Sequence, residues 1–176
     1  MIKDLKNFCC DKKLFFIGIL IASILTYFDL LTKQIAFNTV DQAFINKNLN
    51  YIIVTDFFNI VKVWNHGVSF GMFNDLEHGR IIFASIVALI SIFLLIWLYK
   101  NENSIVSYAL SFIIGGAMGN MIDRLENSAV ADFLDFHIVG YHWPAFNLAD
   151  SAVFIGVAIL IFDDLILSKK RDEKDN

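Results

Sequence analysis

The sequence predicts an all-α membrane protein: four transmembrane helices, with a small extracytoplasmic β-rich segment between helices 1 and 2. Three observations predict it. The 176-residue chain is 57% hydrophobic and has a single proline, beyond what an ordinary soluble domain carries. Residues 81–99 and 104–122 are each 19 residues long without one charged side chain. Each is long enough to cross a hydrocarbon core of about 30 Å as a helix. The polar turn between them, residues 100–103, is short enough to make them antiparallel neighbours. A single membrane domain over residues 1–176 is the natural reading of this length.

Taken in order, residues 1–13 are polar and lysine-rich, and an apolar run follows. That start resembles a signal peptide, yet no small-residue cleavage site follows it. The helical pattern instead continues through Asp29, Leu30, Leu31 and Lys33, giving helix 1 at about 14–36. Residues 37–78 form the outer β-rich segment. Its stretches 51–54 and 57–64 are β-branched and aromatic, as short strands are, and 65–71 closes them with turn residues. Its apolar content places this segment on the bilayer surface. Helix 2 is expected at 79–99, helix 3 at 104–125, a second outer connection at 126–141, helix 4 at 147–167 and a polar tail at 168–176. Cys9 and Cys10 are adjacent, which strains a mutual disulfide, and they are read as free thiols. Palmitoylation there has no support beyond position.

Orientation follows from the basic residues. With four spans both termini share a side. That side holds Lys3, Lys6, Lys12, Lys13, Lys100, Lys169, Lys170, Arg171 and Lys174, nine against Lys47, Lys62, Arg80 and Arg124 on the other. The positive side is cytoplasmic. The net charge of −4 adds little, and no nucleic-acid partner is expected.

Chemistry concentrates between Gly115 and Asp150, in GGAMGNMIDR, VADF and WPAFNLAD. Gly115 and Gly119 stand in G-x-x-x-G spacing, which lets helices approach closely. Asn120, Asp123 and Arg124 share one helix face. A helix-end role, satisfied by neighbours, suits Asp123, while the planar fork of Arg124 suits a carbonyl or carboxylate. Asn147-Leu-Ala-Asp150 fits an N-cap with an acid at N3. Asp132, taken alone, reads as a solvated loop acid. Asp29 and Lys33 stand at i, i+4 in the favourable order for a structural ion pair, with a substrate contact as the alternative. Acids at a bilayer edge normally have a task or a partner. Because flanking segments deliver Asp132 and Asp150 to one membrane surface, the two are read as a catalytic pair. The competing readings are an ion- or proton-conducting protein using the outer-face acids, and a structural subunit in which the acids only cap helices.

Other motifs fail. Gly67-Val-Ser-Phe-Gly71 has the G-x-S-x-G form, but no large α/β sheet or Ser–His–acid set accompanies Ser69. Glu77-His78 is not a metal site. His66, His78, His137 and His142 are scattered over outer loops and are expected to pack or hydrogen-bond. No metal and no cofactor is expected.

GGAMGNMIDR, VADF and WPAFNLADSA, with DLLTK at 29–33 and WNHGVSF at 64–70, resemble the lipoprotein signal peptidase (signal peptidase II) family over nearly the whole chain. The resemblance implies a bacterial four-helix aspartic peptidase of the cytoplasmic membrane, active at its outer face. Such an enzyme removes signal peptides from prolipoproteins carrying a diacylglyceryl cysteine. It implies that Asp132 and Asp150 are the catalytic aspartates and that Asn65, Asn120, Arg124 and Asn147 hold the substrate. Asp29 and Lys33 match a motif of structural character, and residues 37–79 include a small sheet cradling substrate. His66 and Val68 depart from the small or variable residues expected there. Lipidated prolipoprotein and membrane lipid are the implied partners of a monomer.

The orientation is testable. Reporter fusions after Asn176 and within residues 126–141 are expected to land on opposite sides of the membrane, the terminus inside. An external terminus would overturn the topology.

Overall fold

The computed structural model describes residues 12–67 and 79–168, without the side chains of 79–84, 167 and 168. Cys9, Cys10, Ser69, Glu77 and His78 lie outside the described residues, as do the turn residues 68–71 and most of the polar tail. Among the described residues, four α-helices carry one antiparallel sheet at one end. In chain order they are α1 (Lys13–Lys47), β1 (Tyr51–Thr55), β2 (Phe58–Asn65), α2 (Gly79–Lys100), α3 (Ser104–Asn127), β3 (Val130–Ile138), β4 (Tyr141–His142) and α4 (Leu148–Phe162). The last of these continues into a π-helical turn, Asp163–Ser168.

Two of the helices, α1 and α3, are long and apolar enough to cross a membrane. The described apolar stretch of α2, Ser85–Lys100, is shorter. All four helices expose large apolar side chains, among them Leu20, Leu89, Tyr108 and Phe154, and the exposed large polar ones lie towards the helix ends or, in α1, beyond its apolar run. An apolar surface of this extent on a helix bundle marks contact with lipid rather than water.

The first helix departs from expectation. It runs 35 residues, about 52 Å at 1.5 Å per residue, and ends at Lys47, not near residue 36. The bilayer sets the length of the apolar run, but sheet packing sets the length of the helix. Ala36, Phe37 and Val40 beyond the apolar run are buried. Ala36 and Phe37 pack with Ala131 and Phe133 of β3, and the Phe37 ring meets Trp64 edge-on at 4.9 Å. Asp41 accepts Lys62 Nζ at 2.7 Å. The helix stops where Asn48 turns left-handed (φ 55); its N–H returns to the Phe44 carbonyl and that of Leu49 to the Ala43 carbonyl, a usual C-terminal device.

A second correction concerns the sheet. It is four-stranded, in the order β1-β2-β3-β4, so it is not confined to the segment between helices 1 and 2. The connection between helices 3 and 4 supplies β3 and β4. β2 pairs antiparallel with β3, Asn65 opposite Val130 and Phe58 opposite Phe136, with a register shift between Ile60 and Val63. The strand β3 is hidden from pattern reading because residues 130–133 and Asp135 are all buried. Covered on both faces, it lacks the alternation that marks a half-exposed strand.

The bundle is closed by small residues. A Cβ on Gly115 would lie 2.8 Å from the Ala22 carbonyl oxygen of α1, and one on Gly119 would overlap the Asp29 carboxylate. Thr26 Oγ1 donates to the Gly115 carbonyl at 2.9 Å across this contact. Gly119→Ala is therefore expected to lower stability by about 1–3 kcal/mol through overpacking, read as a reduced unfolding midpoint in detergent. An unchanged midpoint would mean that α1 and α3 do not approach this closely.

Candidate active site

The site forms where the middle of α1, the last turns of α3 and the start of α4 meet the first residues of β3. Asp132, third residue of β3, is buried and lies opposite Val63. The solvated-loop reading of this acid is thus replaced by a strand position walled by the bundle. Asn65, last residue of β2, donates Nδ2 to Asp132 Oδ2 at 3.0 Å. The other end of that amide accepts the Gly67 N–H at 3.1 Å, which fixes its orientation. Asn147 Nδ2 donates to Asp132 Oδ1 at 2.7 Å.

Asn147 also caps α4. Its Oδ1 accepts the Asp150 N–H at 2.9 Å, and Asp150 Oδ2 accepts the Asn147 N–H at 3.3 Å. The capping box read from the sequence is present, and it holds one carboxylate while the same residue holds the other. Asn120 Nδ2 donates to Asp150 Oδ1 at 2.7 Å. Asn120 Oδ1 accepts Lys33 Nζ at 3.0 Å and Asn147 Nδ2 at 3.2 Å. With its oxygen so engaged, this amide has only its NH2 to offer Asp150.

Lys33 lies at the base. Its ammonium is buried and sits 2.6 Å from Asp29 Oδ2 and 2.9 Å from Asp123 Oδ2. Its hydrogen bond goes to Asn120, and the two carboxylates flank it at ion-pair distance. Each acid in turn reaches a backbone N–H: Asp29 Oδ1 accepts that of Ala149 at 2.8 Å, and Asp123 Oδ2 that of Ala131 at 3.1 Å. So Asp29 caps a helix 120 residues away, and Asp123 pins the start of β3. The i, i+4 pair was legible in the sequence, but neither backbone target was. Arg124 Nη1 reaches the Asn120 carbonyl at 3.4 Å, and its charge is felt with those of Asp150, Asp132 and Asp123.

Asn65, Asn120 and Asn147, read in sequence as substrate contacts, are brought together with both acids and orient them. One further cluster escaped the sequence reading. Asp135 accepts Asn59 Nδ2 at 3.0 Å and His142 Nδ1 at 2.8 Å, and the His142 ring stacks on His137 at 4.9 Å. Spacing alone gave no signal, since Asn59 and Asp135 meet only through strand pairing. These residues, with Val61, Val63 and Trp143, line an open cavity of about 900 Å³ on the sheet. Among the described residues, no three His, Cys, Asp or Glu gather as metal ligands.

Burial pushes the Asp132 carboxyl above the usual carboxylate range. The Asn65 amide opposes this, the charge of Asp150 reinforces it, and the Asn147 amide and Lys33 oppose it; burial prevails. The linkage sign follows. The folded protein holds this proton more tightly than the unfolded chain does. The resulting stability is present at low pH and is lost as pH rises from the ordinary value, about 4, through the raised one. Asp132→Asn removes the dependence. Its unfolding midpoint relative to the parent is therefore expected to climb as pH rises through that window. A difference flat in pH would mean that Asp132 ionises in the fold as it does in water.

Residues 21–166 match the family described as Signal peptidase (SPase) II. The lipoprotein signal peptidase of Francisella tularensis subsp. novicida (strain U112) is 39% identical over 162 residues, covering 90% of this chain and 94% of its own. That of Anaplasma phagocytophilum (strain HZ) is 43% identical over 114 residues, 65% of this chain and 73% of the relative. A solved bacterial membrane enzyme superposes with a TM-score of 0.69 at 32% identity, covering 90% of this chain and 92% of that one. The matched span, residues 21–166, contains every residue of the hydrogen-bonded site above, and this chain belongs to the signal peptidase II family.

Proposed function

We propose that this protein is an aspartic endopeptidase that cleaves the signal peptide from diacylglyceryl-modified prolipoproteins, just before the lipidated cysteine. The observation that carries the reading is the bridged pair of acids: Asn147 Nδ2 holds Asp132 while its backbone and cap hold Asp150. Asp29, Asp123, Asp132 and Asp150 also gather at one end of the helices rather than in a file across them. That arrangement favours chemistry at a surface over ion conduction.

Peptide hydrolysis needs a base for the attacking water and a proton for the leaving amine. Two carboxylates holding one proton between them supply both. The ionised member takes a proton from water as the oxygen bonds to the scissile carbonyl carbon. The protonated member donates to the carbonyl oxygen, giving a neutral tetrahedral diol. The amine then leaves with a proton returned from the pair, and the carboxylic acid product forms. Asp132, raised by burial, suits the protonated role; the apparent constants belong to the pair. Arg124, beside both acids, holds a substrate carbonyl in line.

In this reading all four helices cross the cytoplasmic membrane, both termini are inside, and the site faces outward. The acyl chains of the cysteine stay in lipid. The polypeptide beyond the cysteine passes along the sheet, where the cavity between Val63 and Trp143 lies.

The test is cleavage of a purified diacylglyceryl prolipoprotein in detergent. Asp132→Asn and Asp150→Asn are each expected to abolish it in folded protein, and the parent profile to be bell-shaped in pH. It falls on the acid side as both acids protonate and on the basic side as both ionise. Arg124→Lys is expected to be nearly as harmful as Arg124→Ala, since a point charge cannot replace a planar fork. Substantial turnover by folded Asp132→Asn would remove the pair mechanism.

A further inference from the structure

The β3–β4 hairpin carries side chains that neither the core nor the acids use. Ile138, Val139, Tyr141 and Trp143 are 75%, 92%, 85% and 70% exposed. From Phe136 to Phe146 the chain has no Asp, Glu, Lys or Arg. Ile138 pairs with Tyr141, so the loop is the two residues Val139 and Gly140, both at positive φ (50 and 83). Turns of this kind normally take Asn-Gly or Asp-Gly. Gly140 adopts its angle freely, but a β-branched residue at positive φ is strained. A water-facing tip would be better served by asparagine on both counts, backbone and hydration. Apolar surroundings would remove the hydration cost of valine at this vertex.

Those surroundings continue sideways. Phe57, in the neighbouring β1–β2 turn, is exposed, and its carbonyl accepts the His137 N–H at 2.9 Å. Phe58 stacks on Phe136 at 4.7 Å, and Phe136 on Phe146 at 5.9 Å. The hairpin is held stiff from behind by Asp135. Burial would raise that carboxyl, but the Asn59 amide and His142 outweigh it and keep it below the usual range. The charge thus stays back in the sheet, and the tip presents only Ile, Val, Tyr, Trp and Gly with the two histidine rings. Tyr and Trp are the residues that favour the bilayer interface. Exposed Asp56 at the adjoining turn suits headgroup depth rather than the hydrocarbon centre.

The hairpin leaves α3 at Asn127 and returns to α4 at Leu148, so both of its ends stand at the mouth of the apolar bundle. We propose that the tip, residues 138–143, is a lipid anchor that inserts into the interface of the membrane holding the helices, with Val139 deepest. The proposal rests on the membrane-enzyme reading. Anchored there, the hairpin holds the sheet cavity at the height where a lipidated cysteine arrives.

The test is site-directed spin labelling in phosphatidylethanolamine–phosphatidylglycerol nanodiscs, with Cys9 and Cys10 replaced by serine. Labels are placed by Val139→Cys and, as a lipid reference, by Phe154→Cys on α4, where the side chain is exposed. The label at 139 is expected to collide with lipid-soluble oxygen and to be shielded from a water-soluble nickel chelate. If 154 reads lipid while 139 is open to the chelate, the anchor is overturned and the membrane reading stands. If both read water, the two fall together. A label at 139 shielded from both collision partners is covered by protein, which also overturns the anchor. None of these outcomes depends on cleavage activity.

Discussion

One buried cation organises this molecule. Lys33 stands between Asp29 and Asp123, on α1 and α3, where removing one member of a buried charge set costs about 3–5 kcal/mol. It is buried between the two acids and hydrogen-bonded to Asn120. Each acid it holds is passed on to a backbone N–H, one opening α4 and one opening β3. Four elements are thereby registered by a single ammonium group. Gly119 is a condition of that arrangement, because the Asp29 carboxylate occupies the space a Cβ would take.

The two site acids receive their geometry from this base through amides. Lys33 fixes the face of Asn120, Asn120 presents its NH2 to Asp150, and Asn147 touches both acids. Amides suit the task because each offers a donor and an acceptor at fixed separation without adding charge. The proposed mechanism needs one carboxyl neutral, and a lysine or arginine in direct contact would hold both ionised. Lys33 itself stands one amide away from Asp150.

Much of this was legible in the sequence, for reasons that can be named. The charge-free runs at 81–99 and 104–122 and the capping box at Asn147 are local signals, as is the Asp29–Lys33 spacing. All of these survive because local physics decides them. The strand β3 was not legible, since burial on both faces removes its alternation, and Asp132 therefore read as a loop acid. The last three turns of α1 were not legible either. Their partners, Ala131 and Phe133, lie some 90 residues downstream, and no window around Phe37 contains them. Asn59 and Asp135 failed for the same reason, meeting only through the β2–β3 register.

The central claim is that Asp132 and Asp150 act on one peptide bond from one place. The most direct measurement is a structure of this protein with a lipopeptide in which the scissile bond is replaced by a hydroxyl-bearing tetrahedral carbon. The account predicts that hydroxyl between the two carboxyls, hydrogen-bonded to both, with Arg124 on a neighbouring carbonyl. A hydroxyl seated instead at Asp123 or Asp29, or one touching only a single acid, would contradict it.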